Sequence, residues 1–325
     1  MDPVNHLSKT IAANPVLNVA VREEIAALEK AELHLHLGGS WPRRYLEEIA
    51  NDRQKAALGE YLEKLSGKVD YHSAFGIFPL IGEIVNSVEK VEEGTAALCR
   101  ELADDGVVYA EFRTGLKDLG GGFESYLKAV MNGMARSSAI ETKLILSLRR
   151  NTPAEDAEKT IDFVLKHREE IVGIDISGDS TIGDGSQLYR ALLRAKEGGV
   201  PIVLHMGESP KESAEQQMRE LRELQPARVG HAVHLCEEAK EWIKKQKVPV
   251  ELCLTSAHTC QMIEEPYNHP ALQLLREGHP VSVCTDDPLL FSRSLTDELT
   301  EVAEQLSLSL EQVKEQQKKT LGMRL

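Results

Sequence analysis

Short apolar runs rich in β-branched residues recur along the chain at 31–36, 107–113, 143–149, 171–176, 201–205, 227–231, 249–254 and 281–285, and each gives way to polar residues at its C-terminal end. Runs of this length, bounded by turn residues, read as buried strands. Between the later ones lie stretches with apolar residues at helical spacing, 153–168, 185–197, 211–224, 236–246 and 268–277. Each is short enough to be a simple crossover between parallel neighbours. Eight such units predict an α/β chain folded as a closed (β/α)8 TIM barrel. The gap 37–106 is far longer than one crossover requires; it carries helical patterns and reads as a helical cap inserted beside the barrel mouth. Residues 16–30, behind Pro15, read as an amphipathic lead-in helix, and the tail as helices at about 293–306 and 308–320. No Gly/Ser linker or low-complexity tract divides the chain, so 1–325 is expected to be one domain.

Composition narrows the functional classes. A chain that is 42% hydrophobic and 28% charged reads as an ordinary globular protein. Its net charge of −14 argues against a nucleic-acid-binding surface, which is generally basic. A small anionic ligand held by a few local cations remains compatible with it. No stretch of about 18 apolar residues appears, so no membrane span is expected. The opening Met1-Asp2-Pro3-Val4-Asn5 lacks the charged-then-apolar layout of a signal peptide. The five cysteines have no framework spacing and suggest reduced thiols in a cytoplasmic enzyme, with Cys253 and Cys284 as core residues.

The chemistry gathers at strand ends. In Glu32-Leu33-His34-Leu35-His36, side-chain alternation points His34 and His36 the same way, so both could hold one ion. His205 and Glu208 follow in Leu204-His205-Met206-Gly207-Glu208, His231 in Val229-Gly230-His231, and Asp286 and Asp287 in Cys284-Thr285-Asp286-Asp287-Pro288. His34, His36, His205, His231 and Asp286 all fall at the C-terminal ends of the expected strands, where barrels of this type carry their catalytic groups. Three imidazoles and a carboxylate suit zinc better than magnesium, with a glutamate and a further histidine left for proton transfer. A two-metal site would want a lysine at the end of the fourth strand, where the chain reads Gly173-Ile174-Asp175-Ile176-Ser177-Gly178, so one metal is favoured.

On these segments, from residue 30 to about residue 300, the chain resembles the adenosine/AMP deaminase family of metal-dependent amidohydrolases. The resemblance implies one Zn2+ bound by His34, His36, His205 and Asp286. It implies Glu208 as the proton donor to purine N1, and His231 beside the metal water as base or electrostatic support. Asp286 orients that water, Asp287 meets N7, and the Gly178 amide meets N3; His36 is also expected to face the substrate, whereas His234 is more simply structural. The activity implied is hydrolytic deamination of an adenosine-type purine at C6, adenosine to inosine. The partner is a small-molecule purine nucleoside or nucleotide.

Three positions depart from the family pattern: Gly38 where an acid commonly reads the ribose, Ser180 where Glu is common, and Ala257 where Asn is common. Loss of an acid at 38 removes repulsion against a 5′-phosphate, so N6-substituted AMP, AMP or adenine is the alternative substrate. Arg43, Arg44, Arg149 and Arg150 could grip such a phosphate, or could be solvated surface charges. Phe75 and Phe78 share one helix face in the cap and are either a cover for the ligand or simple core. A hydrolase of cyclic amides and a non-catalytic zinc barrel complete the alternatives.

Overall fold

The computed structural model describes residues 15–183 and 185–325. The signal-peptide reading of Met1 to Asn5 lies outside the described residues. Eight strands, β1 (Lys30–His36), β2 (Val107–Thr114), β3 (Glu141–Arg149), β4 (Ile171–Ser177), β5 (Ile202–Met206), β6 (Arg228–His231), β7 (Val250–Leu252) and β8 (Val281–Val283), stand in chain order in one sheet. All seven consecutive pairs are parallel. Helices connect them on the outside, giving the (β/α)8 barrel that the apolar pattern predicts.

The closure of the ring bears on function. β8 is three residues long and forms no ladder with β1. An isolated parallel bridge between Leu35 and Asp286 joins them instead. The Asp286 amide donates to the His34 carbonyl at 3.0 Å, and the His36 amide donates to the Asp286 carbonyl at 2.9 Å. Asp286 makes this turn with a φ of 66°, a left-handed conformation that aspartate tolerates better than most residues.

β1 also carries a bulge. Glu32 pairs with Ala110 and Leu35 with Phe112, so three steps on β1 oppose two on β2. The extra residue shifts the phase of the strand and frees the Leu33 carbonyl, which accepts from Arg113 at 2.9 Å. The Glu32 carboxylate fills the gap, accepting from the His34 amide at 2.9 Å. Ala31 and Leu33 pack with Tyr109, Cys253 and Cys284 in a small cluster of their own. The strict alternation of Lys30 to His36 in the sequence gives no sign of this.

Two elements end earlier than the pattern suggests. The lead-in helix is Pro15–Ala26 rather than 16–30, because Lys30 belongs to β1 and its ammonium takes the carbonyls of Ile25, Ala26 and Leu28. The strand expected at 249–254 stops at Leu252, and a helix, Leu254–Thr259, begins at once, with Ala257 donating back to the Cys253 carbonyl.

Within 37–106, the long helix Val88–Asp104 packs beside Gly122–Ala135 in the outer ring. The approach is close: a Cβ at Gly133 would come within 2.6 Å of the Glu92 carbonyl. The shorter helices before it, among them Asp52–Leu65, Tyr71–Ala74 and Phe78–Ile84, bring Tyr71 and Phe78 over the strand ends. Among the described residues no helix is long and apolar enough to cross a membrane.

Candidate active site and metal centre

His34, His36, His205 and Asp286 come together, each offering a ligand atom within 4.8 Å of the others. His34 Nε2 and His36 Nε2 lie 3.3 and 3.4 Å from Asp286 Oδ1. His36 Nε2 and His205 Nε2 lie 2.9 Å apart. Two neutral imidazoles facing lone pair to lone pair repel, and burial with the nearby His205 pushes His36 down to about 3. His34 Nε2 is buried with no hydrogen-bond partner. A divalent cation among these four atoms removes the repulsion and supplies that partner, and an N3O donor set suits zinc. The residues present therefore fit a mononuclear metal. His231, Cys253 and Asp286 also converge, but burial holds the Cys253 thiol far above its ordinary range, which disfavours thiolate ligation.

The other ring nitrogens are held by acids the sequence reading did not single out. Glu251 Oε2 lies 2.7 Å from His34 Nδ1, and Asp175 Oδ1 lies 2.9 Å from His205 Nδ1. Each carboxylate draws the proton to Nδ1 and leaves Nε2 free as a ligand. Arg113, fully buried, binds both acids, reaching Glu251 at 2.6 Å and Asp175 at 3.3 Å. Arg228 adds a contact to Glu251 at 2.6 Å and pairs with Glu111. A signal for these was present: each is a charge inside an otherwise apolar strand, in Glu111-Phe112-Arg113, Ile174-Asp175-Ile176 and Val250-Glu251-Leu252. Buried charges survive only when paired.

Glu208 and His231 stand beside the cluster, Oε1 and Nε2 3.5 Å apart. Glu208 is no helix cap; Ser213 caps Ala214–Leu224. Glu208 is buried, with Oε2 unpartnered. Burial, then Glu212 and Asp286, push its carboxyl well above the ordinary range, in favour of the protonated acid. Glu212 gathers the amides of Gly207, Glu208 and Ser209, fixing the loop that presents Glu208. His231 sits at a φ of 62°, with Nδ1 unpartnered. Burial keeps it neutral, held well below its ordinary value, and the neighbouring histidines push the same way against Asp286. His234 donates its amide to the Gly207 carbonyl, a structural role.

Asp287 turns its carboxyl back into the site rather than away from Asp286, because of the left-handed turn at Asp286. Burial and the Asp286 charge push its carboxyl well above the ordinary range. Gly39 lies so close that a Cβ there would fall 1.7 Å from Asp287 Oδ1. Gly178 has a φ of 88° and a Cβ there would sit 3.3 Å from Cβ and Cγ of Arg149, so the turn is reserved for glycine. Tyr71, which the sequence reading missed, reaches down from the cap. Its hydroxyl lies 3.4 Å from the Gly178 carbonyl and 3.3 Å from the Ser180 amide, and its approach lowers the Glu208 pKa in part against burial.

The candidate cations divide. Arg43 and Arg44 are exposed and pair with Glu47 and Glu48 one helical turn on. Arg150 is buried on Glu220 and the His205 carbonyl, so it is neither a phosphate grip nor a solvated charge. Arg149 stays exposed at the mouth. Phe78 lies 3.8 Å from where a Cβ at Gly38 would be, and Phe75 stacks near it at 6.1 Å. Ala257 is buried in Leu254–Thr259.

The model of the adenosine deaminase family matches residues 29–324. The chain belongs to the adenosine deaminase family. Within it, the chain is 31% identical to the N6-mAMP deaminase of Arabidopsis thaliana, over 88% of this chain and 89% of that protein. The crystal structure of an Arabidopsis N6-mAMP deaminase superposes with a TM-score of 0.87 at 30% identity, covering 93% of this chain and 95% of the other. A crystal structure of the Arabidopsis protein ADAL complexed with IMP superposes with a TM-score of 0.85 at 29% identity, covering 93% of each chain. This chain is accordingly a deaminase of the amidohydrolase type, acting on adenosine-type purines, in a metal-dependent family.

Proposed function

We propose that the protein removes the 6-amino substituent of a purine 5′-monophosphate, with N6-methyl-AMP as substrate and IMP and methylamine as products. The observation that carries this reading is the convergence of His34, His36, His205 and Asp286 beside two buried carboxyls, Glu208 and Asp287. The similarity to N6-mAMP deaminases and to a protein complexed with IMP supports a nucleotide over free adenosine, the first expectation from sequence. Gly38 beside Phe78 supports it too, since no carboxylate there opposes a phosphate.

His34, His36, His205 and Asp286 would hold one zinc ion, which when bound would supply Lewis-acid activation of water. The residues do the rest. Glu208 gives its proton to N1 as water oxygen adds to C6, which is the work of an acid with a raised pKa. Asp287 donates its O–H to N7, and the Gly178 amide donates to N3. His231, neutral, accepts a proton from the attacking water and can return it to the departing amine. The C6–N bond breaks, methylamine leaves with the proton from His231, and C6 keeps the oxygen as a carbonyl while its hydroxyl proton restores Glu208. The free cysteines, four buried and one half-buried, support a reducing cytoplasmic setting.

The test is turnover of N6-methyl-AMP, AMP, N6-methyladenosine and adenosine by zinc-loaded protein, followed by purine absorbance and released amine. N6-methyl-AMP is expected to give the highest kcat/KM. A clear preference for adenosine overturns the nucleotide reading.

A further inference from the structure

The barrel interior beneath the metal cluster is charged. Barrels of this class usually fill that space with branched aliphatic side chains; here Glu111, Arg113, Asp175, Arg228 and Glu251 occupy it, all buried. Arg228 opens β6, at the end of the barrel away from the metal cluster. It shares the inward face with Gly230, where an added Cβ would come 2.8 Å from His34 Cε1. Its three nitrogens have three partners. Nε donates to Glu251 Oε1 at 2.6 Å, Nη2 to Glu111, and Nη1 to the Met323 carbonyl at 2.7 Å. The last partner belongs to the segment that follows the helix Leu310–Leu321.

That segment plugs the barrel floor. The Leu325 amide donates to Glu111 Oε1 at 2.9 Å, the oxygen that also accepts from the Tyr109 hydroxyl at 2.9 Å. Leu325 Cδ1 lies 2.8 Å from where a Cβ on Gly173 would stand, so β4 keeps a glycine where the leucine enters. Met323 packs on the small cluster around Leu33 and Tyr109, and the Arg324 guanidinium lies over the Tyr109 ring at 5.0 Å. A cavity of about 400 Å³ opens on the outer side, lined by Glu141, Lys143 and Arg324 among others. Glu111 and Arg228, on the inner side, are fully buried. Residues 323–325 therefore stand between solvent and the charged stack.

Resting on the metal-centre reading above, we infer that residues 323–325 position the metal ligand His34 through Arg228 and Glu251. With the segment in place, Glu251 Oε1 is taken by Arg228, and Oε2 faces His34 Nδ1 at 2.7 Å. Without it, Arg228 Nη1 loses its acceptor and Glu111 loses a donor. Water then enters a site whose ion pairs draw their strength from its exclusion. A loosened Arg228 releases Oε1, and the Glu251 carboxylate is free to turn away from His34.

The test removes residues 323–325 from the otherwise full chain. In metal-free protein the His34 Nδ1 proton, identified by its loss in His34→Gln, is followed by 1H–15N NMR, and zinc affinity is measured by competition with a chelator. The expected result is exchange of that proton with water at least ~10-fold faster, and zinc affinity about 10-fold weaker. Exchange and affinity equal to wild type overturn the inference even if Tm falls, because a merely structural plug moves Tm alone. Should the shortened chain fail to fold, Leu325→Pro is read by the same two measurements, since it keeps the chain length and removes the amide that donates to Glu111. If wild-type protein binds no zinc, the metal reading falls by itself. The exchange rate then decides the role of the segment: faster exchange upholds its hold on His34, and unchanged exchange removes it.

Discussion

Asp286 engages His34 twice, its amide donating to the His34 carbonyl at 3.0 Å and its Oδ1 lying 3.3 Å from His34 Nε2. The backbone link closes the barrel and the side chain joins the candidate metal cluster, so one residue serves both. Ser256 donates to the other carboxylate oxygen at 2.6 Å, leaving Oδ1 aimed at the histidines.

Metal affinity is expected to depend on the acids behind the ligands as well as on the ligands. Asp175→Asn keeps the shape beside His205 but removes the charge that favours its Nδ1 proton. Arg113 retains its shorter bond to Glu251. Zinc affinity should fall about 10- to 100-fold, measured by competition with a chelator, while the fold persists by circular dichroism.

Glu208→Gln should lower kcat about 10²- to 10⁴-fold with little change in KM, because an amide can donate a hydrogen bond but not a proton. Its raised pKa means that activity needs the protonated form and is lost as pH rises through that value. The lowered value of His231 places the acid limb below its ordinary range. The pH–rate profile should therefore be a bell, and Tyr71→Phe should move its alkaline limb upward, since the Tyr71 hydroxyl favours ionised Glu208. A limb unmoved by that variant removes Tyr71 from the proton-transfer set.

Gly39→Ala places a Cβ 2.8 Å from the Asp287 Cβ and nearer still to its carboxyl, so rotation of the side chain alone does not relieve the clash. The expected outcome is destabilisation of about 1–3 kcal/mol together with loss of kcat/KM. Thermal melts and steady-state kinetics on the same preparation check both.

Glu298 tests linkage away from the metal. Burial raises its pKa from 4.5 to about 7, against hydrogen bonds from Thr255 that lower it. The folded state thus binds the proton more tightly than the unfolded chain. Its contribution is fully present below pH 4.5 and is lost as pH rises through about 7, on the order of 3 kcal/mol. Urea unfolding at pH 4.5 and pH 8 should show Glu298→Gln gaining stability relative to wild type at the higher pH only.

What the sequence determined by itself was the barrel and the candidate ligands on its rim. Apolar runs with one period and helices with another specify alternating units, and His34, His36, His205, His231 and Asp286 could be read because residue type and strand end are local properties. The acids that set the tautomers, Glu251 and Asp175, were visible as charges in apolar strands, but their partners were not. Only tertiary structure brought Arg113 between them, put the bulge into β1, turned Asp287 inward through the left-handed Asp286, and lowered Tyr71 from the cap onto Gly178 and Ser180. Arg149 and Arg150 make the same point: adjacent and alike in sequence, one is buried on Glu220 and the other is left at the mouth. The reason is physical, since protonation states, ion pairs and ring closure depend on distance and desolvation between segments far apart in the chain, and no local pattern encodes those.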